Sequence, residues 1–316
     1  MKKILKDYTS KTKKKKRNWK KKKTQSLALS KIYRKISEDY GYKDYFRKFI
    51  RVRDCGNWLE FSSCPEGHEK KLKNANFCRD RLCPMCQWRK SLKLAHQIKE
   101  ICHYAVIEND DFDFLFLTLS AKNVDSNNLD DEITKYMKSF RKLIRRKEVK
   151  DILEGYFKSL EITYNNNPNG DNKDLKYHPH LHILLVVNSN YFGRNYITQE
   201  RWTELWKQSM KLDYNPIVDI RKVKQVKNKK NEVNEFKIWK TAAELGKYSV
   251  KATDYLQKNI EESKEVVFTL ANALKYRRLT SYGGILKDLY KKLQMQDVDD
   301  ENSDLVSGDI GDNQEG

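Results

Sequence analysis

The sequence predicts an α+β fold on three observations. Hydrophobic periodicity switches in the order β-α-β-β-α-β through the middle of the chain, a cysteine-rich stretch precedes that run, and a basic, helix-periodic stretch follows it. The order is that of a ferredoxin-like or RRM-like sheet: four antiparallel strands, both helices on one face, the other face free for a site.

The elements follow in order. Residues 114–120 (FLFLTLS) are a short apolar run, read as a buried strand. Ile133, Tyr136, Met137, Phe140, Leu143 and Ile144 recur at helical spacing through a basic stretch, an amphipathic helix. Residues 156–164 (YFKSLEITY) form the next strand. A loop rich in Asn, Pro, Gly and Asp at 165–174 then leads to another strand at 178–187, and the two read as antiparallel neighbours. Trp202, Leu205, Trp206, Ser209 and Met210 mark the second helix, and residues 217–226 (IVDIRKVKQV) the fourth strand. A further helix is predicted over 241–257.

The expected organisation is a basic, largely disordered arm with a short helix at 1–50, a cysteine-rich zinc-binding module at 51–100 and the sheet domain at 101–260. A basic helical segment at 261–296, broken at Gly283 and Gly284, and an acidic disordered tail at 297–316 complete it. Residues 11–23 hold ten Lys or Arg and no acid, and residues 297–316 hold eight Asp or Glu and no base, so neither stretch offers much apolar surface to bury.

The net charge of +20 over 316 residues concentrates polyanions around the protein, which makes nucleic acid the leading partner class. The longest apolar run, Ile183 to Val187, is far too short to span a bilayer, which excludes a helical membrane protein and points to a soluble cytoplasmic one. In that compartment thiols stay reduced, so six cysteines including a Cys-x-x-Cys favour a metal site over disulfides.

Four constellations carry chemistry. In YHPHLHILLVV (177–187), strand alternation puts His178, His180 and His182 on one face and Leu181, Ile183, Leu185 and Val187 on the other. Neutral imidazoles at i and i+2 can hold a divalent metal. Glu161, on the face of the preceding strand shared with Ser159 and Thr163, supplies a hard oxygen donor if the strands pair. In the helix predicted over 243–256, Glu244, Tyr248, Lys251 and Tyr255 share one narrow stripe: a phenol that can act as nucleophile, a carboxylate one turn before it and an ammonium one turn after it. Finally, Cys83-x-x-Cys86 is a tight metal knuckle that Cys78 and Cys55 can complete to a tetrahedral thiolate site for zinc, with Cys64 and His68 as rival ligands.

With these pieces laid out, the chain resembles the replication initiator (Rep) proteins of small rolling-circle plasmids of Gram-positive bacteria, within the HUH endonuclease superfamily. The resemblance covers about residues 50–296. It is carried by CG at 55, FCRDRLCPMCQWRKSLK from 77, FLFLTLSAKN from 114, LEITYN from 160, HPHLHILL from 178, KYSVKATD from 247 and RRLTSYGGILK from 277. It implies an HUH endonuclease fold in which His180 and His182 are the paired histidines and Glu161 the third ligand of a catalytic Mg²⁺ or Mn²⁺. Tyr248 would be the nicking nucleophile and Glu244 the carboxylate that helps terminate the reaction. The zinc quartet would fall on Cys55, Cys78, Cys83 and Cys86, while His178, Cys64 and His68 lie outside the family pattern.

The activity implied is site-specific cleavage of one strand of plasmid origin DNA, presented single-stranded, to give a 5′-phosphotyrosine and a 3′-OH primer. Partners implied are the host helicase and replication machinery, with a homodimer as an open alternative to a monomer. An HUH transposase or relaxase would share the chemistry. A non-enzymatic zinc-containing DNA-binding regulator would share the charge and the cysteines but would have no need of Tyr248 beside a histidine pair.

Overall fold

The computed structural model describes residues 19–63, 70–165, 176–223, 241–247, 249–298 and 305–306. In chain order the elements are α1 (Trp19–Tyr40), α2 (Lys43–Asp54), β1 (Leu59–Ser63), β2 (Lys70–Ala75), α3 (Pro84–Glu108), β3 (Phe112–Ser120), α4 (Leu129–Leu143), α5 (Lys147–Lys150), β4 (Leu153–Tyr164) and β5 (Tyr177–Asn188). They continue with α6 (Gln199–Met210), β6 (Val218–Lys222), α7 (241–245), α8 (Ala252–Tyr255), α9 (Ile260–Ala273), β7 (Thr280–Gly284) and α10 (Ile285–Lys292). The chain divides into two units, each assembled from stretches distant in sequence. The first comprises residues 1–96, 250–272 and 296–316, the second residues 97–249 and 273–295. Among the described residues, no helix is long and apolar enough to cross a membrane.

The second unit is built on a five-stranded antiparallel sheet in the order β6-β3-β5-β4-β7. Its register settles which residues share a face. Thr118 lies opposite His182 and Ser120 opposite His180 on one side of β5, while Ser159 lies opposite His182 and Glu161 opposite His180 on the other. Successive strand residues alternate faces, so the other face carries Leu115, Leu117, Leu119, Leu160, Leu181, Ile183 and Leu185. These are all buried.

Helix α4 covers that apolar face: Phe140 meets Tyr156 edge-on, ring centroids 5.1 Å apart, and Met137 Sδ lies 3.1 Å from Lys158 Nζ. Helix α6 packs beside α4 through Trp206, which meets Tyr136 at 5.6 Å and whose Nε1 donates to the Ser120 carbonyl at 2.9 Å. Both helices therefore lie on one face and the histidines on the other.

The sheet has one strand more than the four expected. Residues 261–296, expected to be a broken helical segment, form α9, β7 and α10 instead. The two glycines explain the difference. Gly283 lies opposite Tyr156, where a Cβ would sit 2.2 Å from the tyrosine ring, so its lack of a side chain lets β7 close against β4. Gly284, at φ +57°, turns the chain out of the strand and into α10.

In the first unit, α1 and α2 form an antiparallel pair, and β1 and β2 a hairpin that the sequence reading did not contain. Trp19–Lys23, expected within a disordered arm, are the first residues of α1. Trp19 is buried, edge-on to Trp88 at 4.7 Å, and that packing extends the helix through the lysine run. The acidic tail is likewise not wholly solvated. Val298 and Leu305 are buried, and Arg89 Nε donates to the Leu305 carbonyl at 3.0 Å.

Candidate functional site

Glu161, His180 and His182 converge on the sheet face away from α4 and α6. Antiparallel pairing of β4 with β5 sets Glu161 directly opposite His180, and period-2 alternation brings His182 to the same side. Glu161 Oε2 lies 3.0 Å from His182 Nε2 and 3.3 Å from His180 Nε2. The carboxylate is buried, and the two imidazoles are 14% and 12% exposed.

The outer nitrogens are held as well. Thr118 Oγ1 lies 3.2 Å from His182 Nδ1, and His180 Nδ1 lies 3.2 Å from the His178 carbonyl oxygen. A carbonyl only accepts, so His180 Nδ1 is the donor to it, and Nε2 is the ring nitrogen on the side of Glu161. One carboxylate oxygen and two imidazole nitrogens within 4.8 Å of one another therefore fit a divalent cation on chemistry as well as distance.

His178 is set apart. Backbone pairing of Val124 with Tyr177 brings Asn123 alongside, and Asn123 Oδ1 lies 2.8 Å from His178 Nδ1. Burial, and then neighbouring His180, lower the His178 pKa below the ordinary histidine value. It is held beside the cluster rather than in it.

Tyr248 lies outside the described residues; its neighbours do not. The backbone N–H of Ile162, next to Glu161, donates to the Ser249 carbonyl at 2.7 Å, and the buried Ser159 hydroxyl donates to the Leu245 carbonyl at 3.1 Å. The segment carrying residue 248 is thus tied to β4 on both sides of Glu161.

The single helix expected over 243–256 is not formed. Helix α7 ends at residue 245, bends follow at 249–250, and Lys251 has extended backbone (φ −75°, ψ 142°) ahead of α8. Gly246 and the use of Ser249's carbonyl by β4 account for the break, because that oxygen serves the sheet edge instead of a helix ladder. Glu244, Lys251 and Tyr255 therefore share no helical stripe. Glu244 is paired with Lys247, Oε1 to Nζ 2.5 Å. Tyr255, the second phenol of the expected stripe and so the alternative nucleophile to Tyr248, is buried in the first unit with its hydroxyl donating to the Leu82 carbonyl, a structural position.

In the first unit Cys55, Cys78, Cys83 and Cys86 come together, all buried. Cys55 ends α2, where Gly56 at φ +65° reverses the chain toward β1. Cys83 immediately precedes Pro84, the first residue of α3, and Cys86 lies in that helix's first turn. The Sγ–Sγ distances are 3.5 Å for Cys55–Cys86 and 3.6 Å for Cys78–Cys86 and Cys83–Cys55. Disulfide sulfurs approach to about 2.05 Å, and four thiolates at about 2.3 Å from zinc stand roughly 3.8 Å apart. The observed edges fit the second.

The backbone N–H of Arg79 also donates to Cys86 Sγ at 3.1 Å, and Ser26 Oγ lies 3.4 Å from Cys83 Sγ. Cys64 and His68 lie outside the described residues. Cys102 is buried alone, and burial pushes its thiol up to about 12, leaving it inert at neutral pH.

Sequence reasoning missed Thr118, Asn123, Ser159, Ser249 and Ser26. Each is a small polar residue that acts by touching a histidine, the β4 edge or a cysteine, and no spacing rule marks such residues in advance.

A family model described as replication protein matches residues 69–316. Similar curated proteins include a "Protein rep" from Bacillus amyloliquefaciens, 41% identical over 96% of this chain and 88% of that protein. Others are a "Protein rep" from Streptococcus pneumoniae serotype 2, 40% identical over 92% and 83%, and one from Staphylococcus aureus, 36% identical over 73% and 97%. No solved structure matches.

Proposed function

The chain belongs to the Rep replication protein family, and from that premise we propose that it initiates plasmid replication as an origin-specific, metal-dependent HUH endonuclease that nicks one strand with Tyr248. The observation that carries this reading is the convergence of Glu161, His180 and His182 on the sheet face away from α4 and α6, with the chain on both sides of Tyr248 bonded to the same strand as Glu161. The β-α-β-β-α-β order, with helices on the opposite face, supports the ferredoxin-like HUH assignment.

Glu161, His180 and His182 would hold Mg²⁺ or Mn²⁺, which when bound supplies Lewis-acid polarisation of a phosphate oxygen. The Tyr248 hydroxyl attacks phosphorus in single-stranded origin DNA and the bond to the 3′ oxygen breaks. The 5′ phosphate becomes a tyrosine ester, and the 3′-OH leaves as the primer. Thr118 and the His178 carbonyl fix the imidazole orientations, and the β4 contacts of Leu245 and Ser249 fix the segment that carries the nucleophile. Glu244 serves as general base for the water that ends the round once it is freed from Lys247. The phosphate-steadying role expected of Lys251 is not retained, because it rested on a shared helical face that does not form. Cys55, Cys78, Cys83 and Cys86 would hold a structural zinc ion. Unwinding beyond the nick falls to the host helicase and replication machinery.

The test is incubation of supercoiled plasmid carrying its own origin with the protein and Mn²⁺, followed by detection of nicked circles and a covalent protein–DNA adduct. Wild type should give both, His180→Ala and His182→Ala neither, and Tyr248→Phe no adduct. Full nicking by both histidine variants in the presence of chelator would overturn the reading.

A further inference from the structure

We propose that the exposed face of α2, in the first unit, is an accessory surface for unpaired DNA, on which bases stack against aromatic rings while flanking cations hold the phosphates. Phe46 and Phe49 lie three residues apart on one side of α2, and Tyr42 at its N-cap stacks on Phe268 with ring centroids 5.8 Å apart. Tyr42 and Phe46 are 50% and 51% exposed, although α2 buries Tyr45 and Val52 beside them. Phe46 and Phe49 lie 5.6 Å apart. The guanidiniums of Arg53 and Arg34 stand 5.3 and 5.9 Å from the Phe49 ring, and the Arg47 side chain is 79% exposed one residue beyond Phe46.

The occupant follows from charge. Residues 19–54 contain twelve Lys or Arg against four Asp or Glu, a balance that repels a basic partner and attracts a polyanion. The ion pairs on this face, Arg34–Glu38, Arg47–Asp44 and Arg53–Asp54, are solvent-exposed, so exchanging them for phosphate contacts costs little. Duplex DNA presents phosphates but no base faces, leaving the rings without a role. Unpaired DNA presents both. The inference rests on the reading that the protein works on a nicked, opened origin, and it locates a surface separate from the residues assigned to cleavage.

The experiment uses the full chain and a labelled thymidine oligomer of about 20 nucleotides, long enough for one or more stacking sites. Binding is read by fluorescence anisotropy over a salt series, beside a duplex of equal length. Phe46→Ala, a change at an exposed ring, should weaken oligomer binding roughly tenfold with an unchanged salt slope and leave the duplex nearly unaffected, and Phe46→Trp should restore affinity. Arg47→Ala combined with Arg53→Ala should flatten the slope by about two phosphate equivalents. An unchanged affinity in Phe46→Ala, or an equal loss on duplex and oligomer, would overturn the proposal. So would a change in oligomeric state by sedimentation, which would make the face a contact between copies. The nicking reading is judged separately, by the covalent adduct that the wild-type protein forms on supercoiled plasmid, so its failure would show in that assay while this measurement stands.

Discussion

Thr118 decides which nitrogen of His182 faces Glu161. Its hydroxyl 3.2 Å from Nδ1 holds the ring with Nε2 toward the carboxylate, and removing it frees the imidazole to rotate. Thr118→Val keeps the shape and should weaken Mn²⁺ binding by roughly 10- to 100-fold in calorimetric titration, with duplex binding unchanged. Equal Mn²⁺ affinity in the variant would show that strand pairing alone orients His182. Tyr255 makes the opposite case, a residue that resembled chemistry in the sequence and serves packing in the structure. Tyr255→Phe should form the covalent adduct normally while losing about 1 kcal/mol of stability to urea, because the Leu82 carbonyl is left without its donor. Loss of the adduct in that variant would return Tyr255 to the list of nucleophiles. At this scale the grouping of Glu161 with histidines was legible in part: alternation in YHPHLHILLVV puts all three histidines on one face, and the family resemblance, not the alternation, left out His178. The residues that orient the set were not, because Thr118 becomes a neighbour of His182 only through pairing between strands 64 residues apart.

Strands and helices were legible where one face is apolar and illegible where glycine or a distant partner decides. Strands β3, β4 and β5 and helices α4 and α6 all show their period in the sequence. Strand β7 does not, because what makes TSYGG a strand is the space opposite Tyr156 and below Glu154 that only glycine leaves open. A Cβ at Gly284 would lie 2.2 Å from the Glu154 carbonyl oxygen at a φ of +57°. Gly284→Ala should therefore lower stability to urea by roughly 2–3 kcal/mol. A midpoint equal to that of wild type would mean that β7 can detach without cost. The helix predicted over 243–256 failed for a related reason: its periodicity is genuine, but the Ser249 carbonyl is taken by the edge of β4. The cysteine module was legible in its ligands and not in its frame, since nothing in the spacing of the cysteines places Ser26 of α1 against Cys83.

At the scale of the whole molecule, charge decides where the protein goes and burial decides where its folded part begins. The lysine-rich stretch 11–23 reads as solvated, because lysine runs ordinarily are. The structure carries α1 through Trp19–Lys23: Trp19 is buried against Trp88 and Phe61, and Lys23 Nζ donates to the carbonyls of Arg53 and Cys55 at the end of α2. Two truncations five residues apart should therefore behave differently. Removing residues 1–18 takes away nine Lys or Arg and one Asp but none of these contacts. It should leave the unfolding midpoint unchanged while making the salt dependence of non-specific duplex binding shallower, since each lost phosphate contact removes about 0.9 from the logarithmic slope. Removing residues 1–23 also deletes a buried tryptophan, a change that costs about 3–5 kcal/mol in a packed core, and uncaps α2 beside Cys55. That protein should unfold at lower urea concentration and release zinc to a chelator faster than the shorter truncation. Equal stability of the two would place the start of the folded unit after Lys23. An unchanged salt slope after removal of residues 1–18 would assign the sequence-independent attraction for DNA to the folded units, with the arm no more than a solvated extension.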